Sequence, residues 1–476
     1  MNRETDILSQ QAEAEAPIAG QLAAFAAGLE HDAIPAQVRT RAAHHMLDAA
    51  GIALASTRYD FAHKMLVGMQ ALGGGGPVSD GVLVLGMPAR MGPRDAALMN
   101  GFLCHGLDYD DTHIAGVVHP TASAFPAVLS AAAMTGASGR EMLTAYVIGV
   151  ETTARIGACA RSAFHQVGFH PTGIVGVFGC TLAAGRLLGL NAAQMEQAQG
   201  LALSMASGSM QFLEDGAWNK RFHPGWAAQS GITAATLARE GFVGASAPYD
   251  GRFGLFNIFG GKFTDWVDLE YATAGLGSVW ELMATGIKPY PTCHLTHAAI
   301  DAALVLRDKV DLGQIESIEV RVPHQAFPVI CEPEANKKRP TSAYDAKFSL
   351  HYLVAAALVT GRLTLDELER EFFTDPEILA LTGKVSFADY PDSPFPKAYS
   401  GAVIIRLKDG REVSHFEPVN RGAGDRPLSN GEIVAKFREN AALWAGPARV
   451  AEMEASLLAL DETASAADAL APFCGV

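Results

Sequence analysis

From Ala16 to Ser278 the apolar residues recur at spacings of three and four, the signature of one buried helix face after another. "IAGQLAAFAAGL", "AQVRTRAAHHMLDAAGIALA" and "GREMLTAYVIGVETTARIGACA" each predict a helix. Small residues crowd the predicted interfaces, as in "FPAVLSAAAMTGA" and "LALSMASGSM", so the helix axes should approach closely. The glycines of Gly73–Gly76, followed by Pro77, predict a loop. "GVLVLG" after it reads as a short strand or an apolar lead-in.

The pattern changes after Trp280. "IESIEVRVP" alternates as a strand does, and "AVIIRLKDGREVSHFE" predicts a hairpin turning at Asp409-Gly410. Between them "AYDAKFSLHYLVAAALVTG" predicts an amphipathic helix, and "THAAIDAALVLRDKV" predicts another ahead of the first strand. "SNGEIVAKFRENAA" and "ARVAEMEASLLAL" then return to helical spacing. The expected fold is mainly α, with a large all-helical domain over residues 1–284 and a smaller α+β domain over 285–416. C-terminal helices over 417–476 should pack back on the helical domain.

A length of 476 residues suits two domains, and the formal net charge of -15 argues against nucleic acid or an anionic membrane as partner. It leaves room for an anionic substrate in a local basic pocket. The six cysteines form no CxxC pair, which predicts a reduced, cytoplasmic setting without disulfide framework, zinc ribbon or iron–sulfur cluster. "MNRETDILSQQAEAEAP" lacks the regions of a signal peptide. "GIVGVFGCTLAAGRLLGL" is interrupted by Arg186, so a buried helix is expected rather than a membrane span. The chain carries no P-loop, no GxSxG elbow and no GxGxxG following a strand.

Five polar runs stand out against this apolar background. "HGLDYDDTHIAGVVHPT" gathers three histidines and three aspartates between two apolar helices. It reads either as a capped loop leading into a helix at Pro120 or as a site. Its spacing matches neither a calcium loop nor HExxH, so no metal is expected. In "HQVGFHPTGIVGVFG", His170 stands where a helix begins, a position suited to a cap or to binding carboxylate or phosphate. "WNKRFHPGWAAQSG" brings Lys220, Arg221 and His223 together immediately before an Ala-rich helix. "GIKPYPTCHLTHAAIDA" holds Lys288, Cys293, His294 and His297, and "YDAKFSLHYLV" holds Lys347, His351 and Tyr352. For His297 and Tyr352, a hydrogen-bonded core position is the alternative to a site role.

In this order, "LDYDDTH…HPT", "GFHPTG…LAAGRLLGL", "NKRFHPGWAAQSG", "KPYPTCHLTHAAIDAAL" and "NGEIVAKF" resemble the MmgE/PrpD family from residue 17 to residue 460. That family includes 2-methylcitrate dehydratase, cis-aconitate decarboxylase and iminodisuccinate epimerase. The resemblance implies a helical domain plus an α+β lid, a site between the two, a homodimer, and a small polycarboxylate substrate handled without cofactor or metal. By motif it implies Asp108, Thr112, Lys288, Cys293 and His294 as substrate-binding residues, and His119, His170, Lys220 and Tyr352 as catalytic ones. Lys220, Lys288 and Thr112 would hold carboxylates, His119 or His170 would move the proton, and Tyr352 would assist as donor. The animal decarboxylases have a catalytic histidine where this chain has Cys293, with His294 next along. The implied reaction is dehydration or decarboxylation through a carbanion beside a carboxylate. Proton abstraction in an epimerase is the alternative, and a non-catalytic polycarboxylate binder is the alternative of another class.

Overall fold

A computed structural model describes residues 16–73, 81–214, 216–395 and 397–475. The chain is mainly α. The long helices Pro93–Cys104, Thr121–Thr135, Gly139–Cys159, Pro171–Leu187 and Asn219–Arg239 pack on one another, with Pro171–Leu187 between Gly139–Cys159 and Asn219–Arg239. Small residues allow this. Gly101 faces Gly225 across one crossing, and a Cβ on Gly101 would lie 2.5 Å from the Gly225 Cα. The predicted close approach of helix axes is therefore present, and it depends on two hydrogens meeting where any side chain would collide.

The helix Asn430–Ala442 lies on Ala36–Ser56, and Phe437, Met453, Leu457 and Phe473 share one apolar core with the N-terminal helices. A second core belongs to the region after Pro289. There a four-stranded sheet runs in the order Val385–Asp389, Ile315–Val322, Gly401–Leu407, Glu412–Glu417, with the first pair parallel and the others antiparallel. The helices His297–Arg307 and Leu350–Thr360 pack beside each other over it. The hairpin turns at Asp409-Gly410 as the pattern predicts, with Gly410 at φ 85°.

Some elements differ from expectation. The strand Val385–Asp389 escaped notice because its exposure does not alternate cleanly. "AYDAKFSLHYLVAAALVTG" forms two helices, Ala343–Lys347 and Leu350–Thr360, because the Ser349 side chain caps the second by accepting the Tyr352 N–H at 3.2 Å. Lys220, Arg221 and His223 lie within the first turns of Asn219–Arg239 rather than before it, and Pro224 is accommodated early in that helix. "GVLVLG" contributes the short strand Val82–Leu83, paired with Arg90–Met91. The polar N-terminal stretch through Glu15 and the segment 74–80, with most of the predicted glycine loop, lie outside the described residues. Among the described residues no helix is long and apolar enough to cross a membrane.

One small element positions the site. Asp111–His113 pairs antiparallel with Thr285–Ile287, in the register Asp111↔Ile287, Thr112↔Gly286, His113↔Thr285. This ribbon carries Lys288 to the turn that follows the helix Pro93–Cys104.

Candidate active site

After Cys104 the chain turns sharply, and Asp108 takes a left-handed conformation at φ 54° that Asp tolerates better than most residues. The turn exposes a row of carbonyls, and cations from four distant segments bind them in succession. Arg221 Nε donates to the Gly106 carbonyl at 2.6 Å, and the Lys347 ammonium donates to Leu107. Lys288 Nζ donates to the Asp108 carbonyl at 2.8 Å, and Lys436 Nζ to Tyr109 at 2.7 Å. The Asp108 carboxylate also accepts from Lys220 at 2.8 Å and from Lys288 at 3.0 Å. Burial alone would raise the Asp108 pKa, but the Lys220 and Lys288 ammoniums outweigh it and hold the carboxyl well below the usual range. Lys436 is itself buried against Asp48 at 2.8 Å, with its ammonium 3.8 Å from the centre of the Tyr109 ring.

Next to the lysines stands a cluster of imidazoles. His119 lies 4.7 Å from His105 and 6.0 Å from His170, centre to centre, and His170 lies 5.2 Å from His223. Each ring is anchored by its Nδ1. His105 Nδ1 meets both Asp110 carboxylate oxygens at 2.8 and 2.9 Å, His119 Nδ1 meets the Asp111 carbonyl at 2.7 Å, and His170 Nδ1 meets His223 Nδ1 at 3.0 Å. A carbonyl oxygen only accepts, so His119 carries its proton on Nδ1 and its Nε2 holds a lone pair. The His119 N–H donates to Thr172 Oγ1 at 3.0 Å, linking this loop to the start of the Pro171–Leu187 helix, where His170 is the N-cap residue. Thr112 Oγ1 lies 3.3 Å from His119 Nδ1. Asp111 is fixed beneath them by His45 at 2.8 Å and by the Thr121 N–H at 3.2 Å and hydroxyl.

Burial keeps these rings neutral. It lowers the pKa to about 3 for His119 and to about 4 for His223, and well below the ordinary value for His105 and His170. The nearby lysines push in the same direction. His170 and His223 share one hydrogen bond between two Nδ1 atoms, so one donates and the other accepts. The acceptor, being neutral, carries its proton on Nε2. The cluster thus offers a bare nitrogen on His119 and an N–H in the His170–His223 pair.

The residues after the ribbon contribute unequally. Cys293 is partly exposed, receives the field of Lys288, Asp108 and Lys220, and has its thiol pKa raised by burial. His294 accepts from Asn420 Nδ2 at 2.7 Å through its Nε2, leaving a buried Nδ1 without partner, and burial lowers its pKa to about 3. Tyr352 is not brought to the cluster. Its ring belongs to the second apolar core and its hydroxyl donates to the Glu367 carbonyl, the core alternative for this residue. The break at Phe348–Ser349 is the reason, because it sends Lys347 to the turn and leaves Tyr352 behind. The sequence singled out Lys347 beside His351 and Tyr352, but the family motif did not carry it into the site, and His105 was passed over. Lys347 sits in what looks like one continuous amphipathic helix, and His105 looks like the end of an apolar one. The proximity of His105 to Asp110, five residues on, was the available signal.

Two groups among the described residues have metal-ligating spacing, His105–His119–His170 and His105–Asp108–Asp110, with donor atoms within 4.8 Å of one another. The second is opposed by the two ammoniums already on Asp108. The first would have to bind through Nε2 atoms, since each Nδ1 is engaged.

Comparison with known proteins agrees with the order of these segments. Residues 20–265 match the MmgE/PrpD N-terminal domain, and residues 290–461 match the MmgE/PrpD C-terminal domain. The chain belongs to the MmgE/PrpD family. A cis-aconitate decarboxylase-like protein of Aspergillus oryzae is 27% identical over 97% of this chain and 98% of its own length. Human cis-aconitate decarboxylase is 28% identical over 75% of each chain. The 2-methylcitrate dehydratase of Escherichia coli O157:H7 is 26% identical over 86% of this chain and 87% of its own. In this MmgE/PrpD chain the lysines come from both matched regions, Lys220 from the first and Lys288 and Lys347 from the boundary and the second.

Proposed function

We propose that this protein is a cofactor-independent lyase that decarboxylates a small tricarboxylate of the cis-aconitate kind. The observation that carries the reading is the convergence of Lys220, Lys288 and Lys347 on residues 107–108, beside a set of neutral imidazoles. Such a pocket is positive where a polycarboxylate is negative, and it contains both a proton acceptor and a proton donor. Relatives that cover 95% of this chain and carry the name cis-aconitate decarboxylase support the choice of reaction.

In this reading Lys220, Lys288 and Thr112 hold carboxylates of the substrate. The bond from carbon to the departing carboxylate breaks, CO2 leaves, and the electron pair moves into the conjugated system toward a remaining carboxylate. An ammonium fixed beside that carboxylate stabilises the developing charge without having to reorganise. The carbanion then takes a proton at carbon from the N–H of the His170–His223 pair, and solvent restores it through the bare Nε2 of His119. Cys293 and His294 border the same field and shape the substrate pocket. Six unpaired cysteines suit a cytoplasmic setting, and we take the working unit to be a homodimer, as the family likeness implies.

A second reading is dehydration, favoured by the bare His119 Nε2, which suits abstraction of a proton next to a carboxylate. Substitution of His119 and His170 by glutamine tests the site. Each variant should lose at least about two powers of ten in kcat, the usual contribution of a positioned proton-transfer group. Full activity in both would overturn the assignment. Exhaustive chelation should leave wild-type turnover unchanged, and loss restored by a divalent ion would overturn metal independence.

A further inference from the structure

The proposed chemistry makes no use of Lys347 beyond adding positive charge. Its ammonium is buried, at 7% residue exposure, yet among the described residues its only hydrogen-bond acceptor is the Leu107 carbonyl. An ammonium has three donors, and burying one with a single neutral acceptor is expensive for a fold. The neighbours add to the cost. Lys220, Lys288 and Arg221 all oppose its charge, and Asp108, already shared by two lysines, is the one group among the principal influences that favours it. Tyr344, on the same short helix, also feels Asp108 and Arg221. Burial, with those cations, lowers the Lys347 pKa to about 7. Lys220 and Lys288 thus share one carboxylate in contact, Asp108, and Lys347 contacts none among the described residues, a shortfall of negative charge that a bound polyanion would supply.

The origin of Lys347 gives this a direction. It is the last residue of Ala343–Lys347, in the α+β region, while its acceptor lies at the end of the helix Pro93–Cys104. The Cys293 N–H donates to the Lys347 carbonyl at 2.9 Å, so the same residue also ties together the segments after the ribbon. A carbonyl is a weaker partner for an ammonium than a carboxylate is.

Building on the lyase reading, we propose that Lys347 is a third substrate-carboxylate ligand, supplied by the α+β region. It rests on the Leu107 carbonyl in the free protein and turns to a carboxylate of the bound tricarboxylate. The added charge discriminates tricarboxylates from dicarboxylates, and the α+β region engages through this contact only when substrate is present.

The test compares wild type with Lys347→Met, an apolar replacement of similar length, using the unreactive probe tricarballylate in calorimetry and cis-aconitate in turnover. The variant should bind tricarballylate at least about tenfold more weakly, the equivalent of one charge-assisted hydrogen bond. It should change succinate binding much less. Its melting temperature without ligand should equal or exceed that of wild type, because a poorly paired buried charge has been removed. Near pH 8 wild type should take up protons on binding tricarballylate, and the variant should take up fewer. A merely structural lysine would give the opposite result, a lower melting temperature with affinity for tricarballylate unchanged, and that would overturn the proposal. If wild type turns over a polycarboxylate while Lys347→Met keeps wild-type affinity, only the Lys347 assignment falls. If wild type neither binds nor turns over any polycarboxylate, the lyase reading falls and this proposal with it.

Discussion

Replacing Lys436 by methionine removes the cation under the turn at residues 106–109. Lys436 reaches Asp48 at 2.8 and 3.0 Å, donates to the Tyr109 carbonyl at 2.7 Å, and lies 3.8 Å from the centre of the Tyr109 ring. Asp48 is 1% exposed, and burial raises its carboxyl to about 6 even with Lys436 beside it. Without the lysine a carboxyl that is ionised in water must be buried unpaired or protonated, a loss of about 3–5 kcal/mol for breaking such a pair from one side. The double variant Lys436→Met/Asp48→Leu removes both charges and leaves the Tyr109 carbonyl without its donor, about 1–3 kcal/mol. The double variant should therefore be more stable than Lys436→Met alone. Urea unfolding at pH 7.5 measures both. The single variant should recover part of its loss at lower pH. A carboxyl whose folded pKa is raised binds more protons folded than unfolded, so its penalty is full at high pH and fades as pH falls toward the ordinary value of 3.8. If the losses of Lys436→Met and of Asp48→Leu, each measured alone, sum to that of the double variant within about 0.5 kcal/mol, the reasoning is refuted, because independent residues add.

Three further outcomes follow from the same geometry. Gly101→Ala should cost about 1–3 kcal/mol by overpacking at Gly225, read as a fall in urea midpoint; no change would mean that the two helices can separate freely. Lys288→Met should lower kcat/KM by about one to two powers of ten, as expected for a lost charge-assisted bond to substrate, and steady-state kinetics with the turned-over tricarboxylate measure it. His119 and His223 have folded pKa values of about 3 and 4, against 6.5 ordinarily. The unfolded chain thus takes up protons that the native one refuses, so the contribution of these two histidines should be level above pH 6.5 and should lower stability as pH drops from there toward 4. Melting temperatures across that range test it, and a flat profile would contradict the neutral cluster.

Helical regularity explains what could be read in advance. Repeats at three and four residues located Ala36–Ser56 and Gly139–Cys159, and strict alternation located Ile315–Val322 and the hairpin at Asp409-Gly410. The ribbon of Asp111–His113 with Thr285–Ile287 was invisible, because three residues on each side are too few to display a period of two. Motif reading did single out Asp108, His119, His170, Lys220 and Lys288, which the fold brings together. It attended to side chains, however, and the organising feature of the turn is a run of backbone carbonyls at 106–109, bound by residues 221, 347, 288 and 436. No local pattern marks a carbonyl as an acceptor for a distant cation. Tyr352 shows the converse. Its motif is intact, but a serine cap three residues earlier turns the helix and leaves the hydroxyl on the Glu367 carbonyl.

The most direct test of the central claim is proton NMR of the purified protein in D2O with cis-aconitate, 2-methylcitrate, citrate, malate and iminodisuccinate in turn. The account predicts loss of CO2 from a tricarboxylate of the cis-aconitate kind, with one deuterium entering the product at carbon. Deuterium exchange with the carbon skeleton intact, or no reaction with any of the five, would contradict it.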